Sequence, residues 1–67
     1  MKIIAKQIFR EYRLKRGFSI QSLAKEAGAS YRTVYRLETG HSVYPQTAKK
    51  ICLALKCKFD DAFQIKK

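Results

Sequence analysis

Gly17, Gly28, Gly40 and Pro45 divide the chain into short segments, and inside each segment the apolar residues recur with helical rather than alternating spacing. A chain of 67 residues punctuated in this way has room for helices of two or three turns. The pattern predicts an all-α fold, a compact bundle of five short helices forming a single domain over residues 1–67. The first helix is expected from about Ile4 to Lys15, with Ala5, Ile8, Phe9 and Tyr12 on one stripe and Lys6, Arg10, Glu11 and Arg13 around the rest. Ser19 is a suitable N-cap for the second, in which Ile20, Leu23, Ala24 and Ala27 complete an apolar face that ends at Gly28. The third follows after a connection of three or four residues. It is capped by Ser30 and runs from Tyr31 to about Thr39, with Val34 and Leu37 inward and Gly40 closing it. Pro45 opens the fourth, where Ala48, Ile51, Cys52 and Leu55 repeat the i, i+3, i+4, i+7 pattern. A last short helix is expected from Phe59 to about Ile65, with Asp60 and Asp61 near its positive end.

Size excludes much. A domain this small buries only about 60% of the surface of its unfolded chain, which leaves no space for a deep catalytic cleft or a large cofactor cavity. No Gly-rich phosphate loop, paired metal-binding histidines or nucleophile elbow is present, so nothing argues for an enzyme, and no cofactor is implied. Cys52 and Cys57 have no second Cys or His cluster to complete a zinc set, and they read as reduced core fillers, with no metal expected. His41, alone in a loop, makes a weak catalytic base. The longest apolar runs, Ile3 to Ala5 and Cys52 to Leu55, fall far short of the roughly 18 residues of a membrane span. The start of the chain is likewise too poor in apolar residues for an export signal, so a cytoplasmic location is expected.

Charge points to the partner. Fifteen Lys and Arg against 5 Asp and Glu give a net charge of +10, the footprint of a polyanion binder, with anionic lipid as the rival partner to nucleic acid. Organisation favours nucleic acid. A helix, a tight glycine-containing turn and a second helix with exposed long polar side chains is the layout of a DNA-binding helix-turn-helix. At about 100° per residue, Arg32 and Arg36 point away from Val34 and Leu37, with Tyr31 and Tyr35 flanking them. Each arginine can grip the O6 and N7 of a guanine, and each tyrosine can meet a thymine methyl or a phosphate. For Tyr35 a second reading stays open, that its ring packs on the second helix or on the Val43–Tyr44 loop.

The stretch from Arg10 to Phe63 resembles a lambda-repressor-like helix-turn-helix of the Cro/cI type, also called the Xre family. The resemblance is carried by Gly17-Phe18-Ser19, Leu23-Ala24, Gly28-Ala29-Ser30, Thr33-Val34, Leu37-Glu38-Thr39-Gly40, Pro45-x-Thr47-Ala48-Lys49-Lys50-Ile51 and Ala54-Leu55. It implies a sequence-specific regulator of transcription, most simply a repressor, that binds double-stranded operator DNA as a homodimer in a bacterium, phage or mobile element. It places Ser30, Tyr31, Arg32 and Arg36 at DNA-reading positions of the third helix, and it assigns phosphate contacts to Ser19, Gln21, Ser30, His41 and Ser42. It also implies an ion pair between Arg13 and Glu38. Two positions depart from the family pattern. Ile20 stands where a phosphate-touching glutamine is common, so either Gln21 replaces it or backbone N–H groups position the second helix. Lys56 stands where a helix-ending glycine is common.

Leu53, Phe63 and Ile65 are a candidate dimer surface, unless the last helix folds back and buries them within one monomer. A dimer implies a palindromic operator with half-sites roughly 34 Å apart. Two functions of other kinds stay open. One is a protein-interaction module, such as an antitoxin or assembly factor, with DNA binding secondary. The other is a nonspecific nucleic-acid coating protein.

Overall fold

The computed structural model describes all 67 residues, as two strands and five helices. In chain order these are β1 (Lys2–Ala5), α1 (Phe9–Lys15), α2 (Ile20–Ala27), α3 (Tyr31–Glu38), α4 (Pro45–Leu55), α5 (Phe59–Ala62) and β2 (Phe63–Lys66).

The three middle helices begin where their free N–H groups find an acceptor or need none. Ser19 caps α2 by accepting from the Ser22 N–H at 3.0 Å, while its own N–H donates to the Ser22 hydroxyl at 2.8 Å. Ser30 caps α3 by accepting from the Thr33 N–H at 3.1 Å. Pro45, lacking an N–H, occupies the first turn of α4. Between α2 and α3 the chain reverses in three residues because Gly28 adopts the left-handed conformation, with φ of 70°. The Ala29 N–H then donates back to the Ala24 carbonyl at 2.8 Å and closes the helix end.

The chain ends depart from the all-α expectation. Rather than extending α1 back to Ile4 and α5 on to Ile65, the termini pair as an antiparallel two-stranded ribbon, with Ile3 opposite Ile65 and Ala5 opposite Phe63. The helical stripe expected from Ala5 through Tyr12 therefore breaks, and Ile8 is left 42% exposed. β-branched Ile3 and Ile4 favour the extended form, but four residues cannot hold it alone, and the partner strand at the far end of the chain, with the Val43 N–H on the other edge, supplies the missing hydrogen bonds. The Lys6 N–H continues the ladder to the Ala62 carbonyl at 2.8 Å.

Phe9, Leu23, Val34, Leu37, Ala48, Ile51, Leu55, Ala62 and Phe63 fill one core. Phe63 sits at its centre, 0% exposed, edge-on to Phe9 and stacked with Phe59, with ring centroids 5.6 Å apart in both pairs. This corrects the candidate dimer surface: Phe63 is an interior residue, because the turn from α5 into β2 points it inward. Leu53 and Ile65 stay outside, 69% and 54% exposed.

Helix α4 ends on Lys56, the sole non-glycine residue with positive φ, at 55°. Two hydrogen bonds close the helix end around it. The Cys57 N–H donates to the Cys52 carbonyl at 3.1 Å, and the Arg16 Nε–H donates to the Leu55 carbonyl at 2.9 Å. A side chain in the left-handed region costs about 1–2 kcal/mol, part of which glycine gives back through its freer unfolded chain. Lys56→Gly is expected to stabilise the domain by about 1 kcal/mol, raising the thermal midpoint by roughly 4–8 °C in a calorimetric scan.

Candidate nucleic-acid interface

Helix α3 is two-faced. Val34 and Leu37 are sealed in the core, while Tyr31, Arg32, Tyr35 and Arg36 are all exposed on the opposite side. The two arginines stand one turn apart, as do the two tyrosines, whose rings stack nearly parallel with centroids 6.3 Å apart. The aromatic neighbour of Tyr35 is therefore Tyr31, and its half-exposed ring stays on the outer face. The result is a raised surface of two guanidinium forks beside a flat aromatic pair, the chemistry that edges of bases and phosphates accept.

The flanking segments carry the other residues expected at the interface. Gln21 is exposed on the first turn of α2, whereas Ile20 beside it is half-buried. Ser19 and Ser30 are exposed at the starts of α2 and α3, but their hydroxyls already serve as helix caps. The Ser30 hydroxyl also lies 2.8 Å from the Thr33 hydroxyl. Beyond α3, His41 and Ser42 are exposed on a loop that is pinned at both ends. The His41 N–H donates to the Arg36 carbonyl at 2.9 Å, and the Val43 N–H donates to the Ile3 carbonyl of β1 at 2.9 Å. That second anchor comes from the chain start, and no local pattern in the sequence announces it.

Behind the surface, α3 is held by Arg13, which is 6% exposed. Its guanidinium spans the Glu38 carboxylate, Nε–H to Oε2 and Nη2–H to Oε1, the latter at 3.2 Å. Its third nitrogen, Nη1, donates to the Phe18 carbonyl at 2.9 Å. One side chain thus joins α1, the lead into α2 and the C-terminal end of α3. Glu38 needs the partner twice over, because it is mostly buried and sits at the negative end of the α3 dipole. No buried side-chain nitrogen or oxygen is left without a hydrogen bond.

No three His, Cys, Asp or Glu side chains gather closely enough to hold a metal ion, and no helix is long and apolar enough to cross a membrane. Cys52 is buried and Cys57 half-buried, both as free thiols. Burial, with the neighbouring Cys57 adding to it, pushes the Cys52 thiol up to about 12 from its ordinary 9.0, and burial raises Cys57 as well.

A model of the Cro/C1-type helix-turn-helix DNA-binding domain matches residues 9–67 of the chain. No curated relative matches it.

Two outcomes are expected. Removing one partner of a buried pair strands the other, at a cost of about 3–5 kcal/mol, so Arg13→Met and Glu38→Gln should each shift the denaturant midpoint by most of the stability of so small a domain. Because the folded chain keeps the Cys52 proton to about pH 12 while the unfolded chain releases it near 9, the associated stability is complete below pH 9 and is lost as pH rises from 9 to 12. Cys52→Ala should flatten that decline in unfolding curves recorded across the interval.

Proposed function

The chain belongs to the Cro/C1-type helix-turn-helix DNA-binding domain family, and from that premise we propose that it is a sequence-specific regulator of transcription that reads operator DNA with α3. One observation carries the reading. Arg32 and Arg36 stand exposed one turn apart on a helix whose opposite face is locked in the core. That is the geometry a major groove about 12 Å wide requires, since the reading side chains must project from a helix that cannot rotate under them. Arg32 and Arg36 are assigned to guanine edges, and Tyr31 and Tyr35 to thymine methyls or phosphates. Gln21, His41, Ser42 and the N-terminal N–H groups of α2, with Ser19 and Ser30 at the helix starts, take the flanking phosphates.

A repressor is the simplest form of this activity, acting by occupying a site that polymerase needs. Two copies on a palindromic operator would place two α3 helices in successive major grooves, roughly 34 Å apart. Leu53, 69% exposed on α4, supports a protein contact of this kind, and Ile65 is available for the same purpose. The same exposure supports the alternative reading, a module whose main partner is another protein such as a toxin; copurification with a second small protein would favour it.

Binding to the DNA upstream of its own gene, compared with a scrambled duplex by fluorescence anisotropy, tests the reading. The upstream site should be preferred by about 10³-fold or more. Arg32→Ala and Arg36→Ala should each remove about 1–3 kcal/mol of that preference, and Lys50→Ala should leave it intact. Equal and weak binding of both duplexes would reduce the basic surface to simple electrostatics.

A further inference from the structure

The terminal ribbon ends in a concentration of positive charge that the fold leaves unneutralised. Lys2 on β1 and Lys66 on β2 are register partners, directly opposite each other, and Lys67 follows. Like charges directly opposed across an antiparallel pair destabilise it. The one salt bridge in the molecule joins Arg13 to Glu38, so neither lysine has an acidic partner, and both side chains are exposed. A local arrangement that weakens the fold invites a functional explanation.

Position gives this charge a direction. The edge of β1 that faces away from β2 bridges to Val43, and the antiparallel sense of that bridge carries Lys2 toward Tyr44. Lys2, Arg36, Ser42 and Tyr44, with the apolar Ile3 and Ile65, are among the residues that line one open groove of about 770 Å³. Arg36 and Ser42 are the base and phosphate contacts assigned above. Lys2 therefore shares a groove with the surface assigned to DNA, and Lys66, its register partner, lies one strand further out on the same ribbon.

We infer that the paired chain ends form a second DNA contact, in which Lys2 and Lys66 bind phosphates flanking the stretch read by α3. The inference rests on the DNA-binding reading of α3 and extends it: the footprint is longer than the helix-turn-helix alone would make it. Lysine suits the task, because a compact charge on a flexible four-carbon stem meets a phosphate without demanding one orientation. A polyanion also removes the repulsion between the two lysines, so the ribbon is held most firmly when DNA is bound.

The test uses the full chain and a duplex that the wild type selects from random sequences. Affinity is measured at several salt concentrations between about 50 and 200 mM for the wild type and for Lys2→Gln/Lys66→Gln. Loss of two phosphate contacts should make the slope of log K against log salt shallower by about 1.8, at about 0.9 per contact. Base preference should be unchanged and the thermal midpoint equal or higher, since a repulsion has been removed. Lys15→Gln/Lys58→Gln removes the same charge away from the ribbon and from α3, and should leave the slope near that of the wild type. A wild-type slope in the Lys2/Lys66 variant, or an equal change in the control, would overturn the contact and leave the lysines as guards of an exposed strand edge. Failure of the wild type to select any duplex would overturn the reading of α3 and this contact together.

Discussion

Arg13 is almost wholly buried, and its guanidinium hydrogen-bonds only to groups that must stay in place for α3 to face outward. It grips the carboxylate at the end of α3 with two donors and the backbone before α2 with a third. The helix-turn-helix is thereby tied to α1 at both of its ends. An apolar pair of the same volume could equal this arrangement in stability, but would not fix direction as a bidentate fork does. Direction is what the outer face needs. A rotation of α3 by one residue, about 100°, would carry Arg32 and Arg36 off the exposed side and bring Val34 out of the core.

Much of this was legible in the residues, and the reason is physical. Ser19, Ser30, Gly28 and Pro45 each do something local, namely cap, reverse or open a helix, so their chemistry marks the boundary without knowledge of the rest. The outward position of Tyr31, Arg32, Tyr35 and Arg36 likewise follows from the helical period once Val34 and Leu37 are inside. The pairing of Arg13 with Glu38 came only from the family resemblance, since residues on separate helices have no local signal of contact. What escaped altogether was the terminal ribbon. Ala5, Ile8, Phe9 and Tyr12 satisfy a helical stripe as written, and only the distant Phe63–Lys66 segment turns the first part of it into a strand. The same non-local event decides between the two positions open to Phe63, a dimer surface or the interior, and places it in the core.

The ribbon also links two features that are far apart in the sequence. It pins the 41–44 loop through Ile3, and that loop follows directly from the end of α3. The fold therefore supports its outer helix from two sides, by an ion pair from α1 and by a strand edge from the chain start. Lys56, held in the left-handed region at the end of α4, is tied through its carbonyl to Arg16 at the end of α1 and takes part in neither support. Its strain is a cost carried elsewhere in the fold, where a glycine would have relieved it.

The central claim is that α3 is the surface that meets DNA, and amide chemical-shift mapping tests it most directly. The ¹⁵N-labelled chain is titrated with the duplex it selects from random sequences and then with a scrambled one. With the selected duplex, the largest shifts should fall on Gln21, Ser30, Tyr31, Arg32, Tyr35, Arg36, His41 and Ser42. The same set should move only weakly with the scrambled duplex. Shifts centred on Leu53 and its neighbours in α4, with α3 silent, would contradict the account.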